Sequence, residues 1–118
     1  MSQDGKSSWI GKSGNVYEFY DYTLDTVFVK DIVGNYIFSK NIIDGGREKL
    51  YPIYIGEGVI KDRIEFRINE GKVLEKGCDY VSVRLLEKEE NSKQIEEDLL
   101  AAYPTAYDPI GCNLKKGG

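Results

Sequence analysis

The stretches GNYIF (residues 34–38) and YIGEG (residues 54–58) decide the fold of this chain. Each is short, largely apolar and carries a tyrosine, and between them lies DGG (residues 44–46), a strong turn signal. Apolar runs on either side of such a turn predict neighbouring strands of an antiparallel sheet. The tyrosines of these strands, Tyr36 and Tyr54, are either packing residues or two parts of one site.

Periodicity and turn signals outside these stretches predict an α/β domain, in the α+β sense, with a small, mostly antiparallel sheet. Gly71 is placed to end a first helix, while Asn91 or Ser92 is placed to cap a second helix that stops before Pro104. In chain order we predict a hairpin over residues 9–22 with its turn at 12–15, strands at 33–39, 50–56 and 78–87, and helices at 58–70 and 91–103.

The composition of the chain indicates one soluble globular domain. The chain has 118 residues, of which 41% are hydrophobic and 31% charged. No apolar run approaches the roughly 20 residues that span a bilayer, and the N-terminus has no secretory signal pattern, so we expect a cytoplasmic protein without a membrane partner. Cys78 and Cys112 match neither a CxxC motif nor a zinc spacing, and we expect both to be reduced thiols.

The absence of histidine limits the possible chemistry more than any other count. It excludes Ser-His-Asp and Cys-His catalysis, histidine-ligated zinc, and any histidine general base. A metal would have to be a hard ion held by carboxylates and water, such as magnesium or manganese. A general base would have to be Tyr, Lys, Asp or Glu. The formal net charge of -4 argues against a non-specific DNA coat protein.

A carboxylate falls on the apolar side of the second predicted helix. At 100° per residue, Glu96 lies within the arc formed by residues such as Ile95 and Leu99, whereas Glu97 and Asp98 lie outside it. A carboxylate on a buried face costs several kcal/mol unless it is paired or bound to a metal. Glu96 is therefore either a salt-bridge partner or a metal ligand.

The first predicted helix shows the same anomaly with positive charge. Arg63 and Arg67 lie within an apolar arc that includes Ile60, Ile64 and Phe66. Arginine stems can lie along apolar surface while their heads reach water. Alternatively, two guanidinium groups one turn apart can face an anion, because their planar forks match phosphate oxygens.

Taken in order, these elements resemble the GIY-YIG nuclease superfamily. The resemblance rests on Gly34-x-Tyr36, Tyr54-Ile55-Gly56-Glu57, Arg63, Glu96 within IEEDLL, and Asn113. It implies a three-stranded antiparallel sheet flanked by helices, to which this chain adds an N-terminal β-hairpin. The corresponding boundaries are a flexible N-terminus at residues 1–8, a β extension at 9–32 and a nuclease-like domain at 33–118, all in one compact unit.

The resemblance also implies hydrolysis of DNA phosphodiesters with a single magnesium or manganese ion. In that mechanism Glu96 holds the metal, Arg63 stabilises the charge on the scissile phosphate, Tyr36 activates or orients the attacking water, and Tyr54 positions the water or the phosphate. Arg67, Gly56, Lys61 and Asn113 are predicted to contribute to substrate binding, and the resemblance implies that Asn113 supports the site by hydrogen bonding.

Two other interpretations remain open. One is a binding or interaction module that keeps the nuclease scaffold and has weak or no catalytic activity, which suits the acidic net charge. The other is an unrelated α/β domain in which Arg63 and Glu96 form a buried ion pair. A homodimer or a partner protein is compatible with each of them.

Overall fold

The computed structural model describes residues 5–114 and shows one five-stranded sheet with helices on both of its faces. The strands are hydrogen-bonded in the order β1-β2-β5-β3-β4, and every pair is antiparallel. The elements are β1 (Gly5–Ile10), β2 (Val16–Thr23), β3 (Val33–Asp44), β4 (Arg47–Val59), α1 (Ile60–Glu70), α2 (Lys72–Glu75), β5 (Tyr80–Leu85) and α3 (Ser92–Ala102), followed by a 3₁₀ turn at Pro104–Ala106.

The three-stranded sheet flanked by helices is the main expectation that the structure overturns. The predicted N-terminal hairpin forms, but it is not an extension of a smaller sheet, because β2 pairs with β5 along the register from Tyr20↔Val83 to Thr23↔Tyr80. Residues Val81 to Val83 of β5 are buried, and without β2 this interior strand would have an open edge. The fold is therefore one five-stranded antiparallel sheet in which strands predominate.

The first strand begins earlier than the sequence indicates. Gly5 to Ser8 belong to β1 and pair with β2, although they were expected in a flexible terminus. The Ser7 hydroxyl donates a 2.6 Å hydrogen bond to the buried carboxylate of Asp21, which ties this segment to the sheet. The remaining part of the expected flexible terminus, residues 1–4, lies outside the described residues.

The central strands are buried on both faces, which explains their nearly continuous apolar sequence. Side chains that alternate along β3 point into two separate hydrophobic clusters, one under α1 and α2 and the other under α3, whereas β5 contributes Val81 and Val83 to the first cluster only. The first cluster includes Tyr36, Phe38, Ile60, Ile64, Val73 and Val83, and the second includes Trp9, Phe19, Ile37, Ile55, Ile95 and Leu99.

The turn and cap signals of the sequence are confirmed. Gly45 and Gly46 join β3 to β4 with φ values of 59° and 80°, the backbone of a tight hairpin turn that favours glycine. Gly71 ends α1 in the left-handed region, at φ 86°. Asn91 caps α3, since its side chain accepts hydrogen bonds from the backbone N–H groups of Lys93 and Gln94.

The α1 helix differs from its prediction at its start and in its buried face. Gly58 and Val59 belong to β4, so the helix begins at Ile60. Ile60 and Ile64 are buried against the sheet, whereas Phe66 and Arg63, both expected on the apolar arc, are exposed. Counting Phe66 as a core residue made the predicted arc too wide.

Asp98 of α3 was expected on the solvent side and instead anchors the β1–β2 turn. It accepts hydrogen bonds of 2.8 and 2.7 Å from the backbone and hydroxyl of Ser13, and one of 2.7 Å from the hydroxyl of Tyr17. Gly11 passes so close to this carboxylate that any Cβ at that position would collide with it. Helical periodicity failed here because the hairpin turn covers a side of α3 that faces away from the sheet core.

Two further expectations can be compared with the structure. Within residues 5–114, none of the helices combines the length and the apolar character that crossing a membrane requires. Cys78 and Cys112 are free thiols, as predicted. Burial raises the pKa of the Cys78 thiol to about 12, so at neutral pH it is protonated.

Replacing Asp98 with alanine is expected to lower the free energy of unfolding by about 1–3 kcal/mol at pH 7, because three hydrogen-bond donors lose a charged acceptor. Burial acts to raise the pKa of Asp98, but the hydrogen bonds from Ser13 and Tyr17 outweigh it, and the pKa lies below its ordinary value. The stabilisation is therefore complete above the unfolded pKa of about 4 and is lost as the pH falls through the folded pKa.

Urea unfolding of the wild type and of Asp98→Ala across this pH range measures the effect. Glu65→Ala, which removes an exposed carboxylate of α1, is the control and should change the free energy of unfolding by less than about 0.5 kcal/mol. If the difference in free energy of unfolding between Asp98→Ala and wild type stayed constant as the pH fell to the acid transition, the ionised Asp98 carboxylate would not be the source of the stabilisation.

Candidate active site

The two motif tyrosines meet because a glycine lies under one of them. β3 and β4 pair with Tyr36 opposite Gly56 and Phe38 opposite Tyr54, so both tyrosines are on the face covered by α1. The ring of Tyr36 crosses directly over Gly56, where the Cβ of any other residue would overlap the ring and its hydroxyl. Gly56 therefore contributes to the site by allowing the Tyr36 ring to pack against its backbone.

The rings of Tyr36 and Tyr54 stack, with centroids 5.9 Å apart and planes inclined by 24°. Arg67 extends from α1 over this pair, and its Cζ atom lies 4.3 Å from the centroid of the Tyr54 ring. The guanidinium donates a 3.2 Å hydrogen bond to the carboxylate of Glu70, and it is near enough to Tyr36 to act on the pKa of that phenol. Its Nε is buried and has no hydrogen-bond partner among the described residues. The tyrosine pair and Arg67 therefore form one contiguous group, the tyrosine–arginine cluster.

A cleft of about 670 Å³ opens beside this cluster at the edge of β4. Its walls come from α1, α3 and the segment after the 3₁₀ turn. Among its lining residues are three carboxylates and two cations, which leaves an excess of one negative charge: the acids are Glu70, Glu96 and Glu97, and the cations are Arg67 and Lys72. Tyr54 and Asn113 also line the cleft.

Glu96 is half-buried and lines this cleft, on the side of α3 that faces β4. It is near enough to Tyr54 for its charge to act on the phenol. Its partial burial agrees with its place on the apolar arc of the helix, but its neighbours were expected to face solvent, and Asp98 is also partly buried while Glu97 also lines the cleft. A guanidinium from α1, a phenol from β4 and this carboxylate from α3 thus line one hollow.

The structure does not bring Arg63 and Lys61 into the cleft lining. Arg63 is exposed and packs over Gly58, with its Nε 3.1 Å from where a Cβ of that residue would lie. This exposure also contradicts a buried Arg63–Glu96 ion pair. Lys61 reaches Asp31 at 3.7 Å instead.

Asn113 attaches the C-terminal segment to the motif strand. Its side chain accepts a hydrogen bond from the backbone N–H of Ile55 and donates one to the Ile55 carbonyl, both at 2.8 Å. These are the edge groups of β4 between Tyr54 and Gly56, which no other strand pairs. Asn113 thereby fixes the backbone that carries the motif glycine and tyrosine.

Asn35 was not predicted as a site residue, although it occupies the position between Gly34 and Tyr36 in the first motif. It is fully buried and donates a 2.8 Å hydrogen bond to the Ser92 carbonyl, in the first turn of α3. The Ser92 hydroxyl in turn donates to Glu57, at 2.8 Å. Both bonds join the motif strands to the helix that carries Glu96, so Asn35 sets the position of that carboxylate.

The phenols of the cluster are both held in their protonated form. Burial raises the pKa of Tyr36 far above its ordinary value and outweighs the opposing effect of Arg67. Burial also raises the pKa of Tyr54, although Arg67 and Arg63 act to lower it. Because Tyr36 is only 1% exposed, it acts by positioning its neighbours and cannot itself reach a ligand in the cleft.

A hard divalent cation that keeps most of its water is the kind of metal that this cleft could hold. Within residues 5–114 no group of three or more His, Cys, Asp or Glu side chains could hold a metal by itself. Magnesium commonly binds through one or two carboxylates and completes its shell with water and substrate phosphate. Glu96 offers one hard oxygen ligand, and the excess negative charge of the lining favours a cation beside it.

Comparisons of the chain with protein-family models, with curated proteins and with solved structures give no match.

Replacing Gly56 with alanine is expected to lower the free energy of unfolding by about 1–3 kcal/mol, because the added methyl forces the Tyr36 ring out of place. In a Tyr36→Leu background the same change should cost at least about 1 kcal/mol less. A double-mutant cycle by urea unfolding measures this coupling, and additive effects would contradict the contact.

Replacing Asn113 with alanine is expected to lower the free energy of unfolding by about 1–3 kcal/mol, because the N–H and C=O of Ile55 lose their partner. Amide hydrogen exchange at Ile55 should accelerate in the same variant. Asn69→Ala, on the exposed side of α1, is the matched control and should leave both measurements nearly unchanged. Unchanged protection of Ile55 in Asn113→Ala would exclude this role.

Proposed function

We propose that this protein is a metal-dependent phosphodiesterase that cleaves DNA, in accordance with its resemblance to the GIY-YIG nucleases. The observation that carries the proposal is the meeting of Arg67, Tyr54 and Glu96 at one cleft. Each of these side chains stands on a different element, and neither a hydrophobic core nor a surface ion pair requires the three to converge. Convergence of a cation, a phenol and a carboxylate is typical of a site for a phosphate and a hard metal.

In this proposal Glu96 holds a magnesium or manganese ion, whose charge offsets the phosphate and the leaving oxygen. Arg67 takes the phosphate-binding role that the motif assigned to Arg63, since its guanidinium lines the cleft and Arg63 does not. Stacking on Tyr54 holds the guanidinium in one plane. Two of its N–H groups can then donate hydrogen bonds to two phosphate oxygens. Arg63 contributes only a more distant positive charge.

Tyr54 is the phenol that contacts the reacting groups, because it lines the cleft while Tyr36 is buried behind it. Burial raises the pKa of Tyr54, so its phenol keeps its proton at neutral pH. The Tyr54 proton is then available to a water or a phosphate oxygen in the cleft. With both phenols protonated at neutral pH, Tyr54 orients the attacking water and does not deprotonate it.

A non-catalytic binding module is the second candidate, and the state of Arg67 favours it. The guanidinium already pairs with Glu70, whose other oxygen lies 3.9 Å from Lys72, so both cations of the cleft have a carboxylate partner. Such a site could hold a phosphate group without activating a water. The phosphodiesterase should cleave DNA in a metal-dependent reaction, whereas the binding module should not.

Glu96→Gln is expected to reduce cleavage of single-stranded or duplex DNA with magnesium or manganese by at least about 100-fold, because the amide is a poor ligand for a hard cation. Circular dichroism and urea unfolding should show that the variant keeps its fold. Glu65→Gln, which neutralises an exposed carboxylate of α1 outside the cleft, is the matched control and should cleave as the wild type does.

Wild-type protein that binds DNA and fails to cleave single-stranded, duplex, branched or flap substrates with either metal would support the binding module. Equal cleavage by Glu96→Gln and wild type would contradict the assigned role of the carboxylate.

A further inference from the structure

An exposed aromatic ring stands next to the proposed phosphate site and has no place in the core. Phe66 of α1 is 54% exposed and belongs to neither hydrophobic cluster of the described residues. Most of its neighbours one turn away on the helix are polar, including Asp62, Arg63 and Asn69. Hydrophobic packing among residues 5–114 therefore does not account for this ring.

The Arg67 guanidinium lies between this ring and the cleft. Its Cζ atom is 5.2 Å from the centroid of the Phe66 ring and 4.3 Å from that of Tyr54. One cation thus contacts a ring that faces solvent and a ring that lines the cleft. A ligand that offers a phosphate to Arg67 would bring its adjoining group within reach of Phe66.

We infer that Phe66 is a stacking platform for an unpaired nucleobase, so that the substrate strand is single-stranded where it crosses the site. This inference rests on the proposed function. In a nucleotide the base adjoins the phosphate, which matches an exposed ring beside a guanidinium. In a duplex each base face is covered by its neighbours, so only a single strand, a flap or an end can offer a free face to Phe66.

The charge of the chain also favours a single-stranded substrate over a duplex. Duplex binding depends on many Lys and Arg contacts to phosphates, whereas the net charge here is -4 and the cleft lining has an excess of one carboxylate. Stacking on an aromatic ring needs no positive surface and is available to every base. It therefore supplies affinity for a strand that this acidic surface does not otherwise attract.

The test compares strands that differ only in their bases. Fluorescence anisotropy gives the Kd of labelled oligodeoxythymidylate, of an abasic strand of the same length and of the matching duplex, with calcium in place of magnesium. Phe66→Ala is expected to raise the Kd for oligodeoxythymidylate about 5- to 100-fold and to leave that for the abasic strand unchanged. Phe66→Trp should retain tight binding, and the wild type should prefer the single strand to the duplex.

Leu74→Ala is the matched control, because Leu74 is 46% exposed on α2 and does not line the cleft, and its Kd values should equal those of the wild type. An unchanged Kd in Phe66→Ala, an equal loss on the abasic strand, or equal wild-type affinity for duplex and single strand would overturn the inference. Because binding is measured without cleavage, these outcomes are separate from those of Glu96→Gln, which decide whether the site is catalytic.

Discussion

The contact between the Tyr36 ring and the bare backbone of Gly56 is the constraint on which the rest of the site depends. It allows a large phenol to lie flat against the neighbouring strand and so to be almost fully buried. Tyr54 then stacks on this ring, and Arg67 lies on Tyr54. A side chain at position 56 would displace each of these layers in turn, since each is held by the one beneath it.

Two asparagines hold the strands that carry this stack. Asn113 satisfies the edge of β4 at Ile55, and Asn35 connects β3 to the first turn of α3. Both are buried, where an amide needs partners because water is absent. Their hydrogen bonds therefore fix the strand backbone relative to the helix of Glu96, and the geometry of the cleft follows from polar groups that never enter it.

Local signals in the sequence predicted local structure well and distant pairing poorly. The turn at Gly45 and Gly46, the cap at Asn91 and the end of α1 at Gly71 each depend on a few neighbouring residues, and all three were correct. The pairing of β2 with β5 joins residues about sixty positions apart and leaves no mark in either segment, so the sheet was expected to be smaller. Periodicity placed Glu96, Arg67 and Arg63 on apolar arcs, and of these Glu96 and Arg67 line the cleft whereas Arg63 is exposed outside it. Periodicity missed Asp98, because a helix considered alone shows neither an exposed Phe66 nor the hairpin turn that covers α3.

The attachment of residues 112 and 113 to β4 implies an order in which the parts of the chain fold. During synthesis β3 and β4 are complete well before residues 112 and 113, whose backbone and side chain bond Ile53 and Ile55. Until then the outer edge of β4 has bare amides and carbonyls that can accept a strand from another molecule. Until residues 112 and 113 dock on β4, the edge of the sheet is therefore open to mispairing. The cleft takes its final shape only when these two residues are in place.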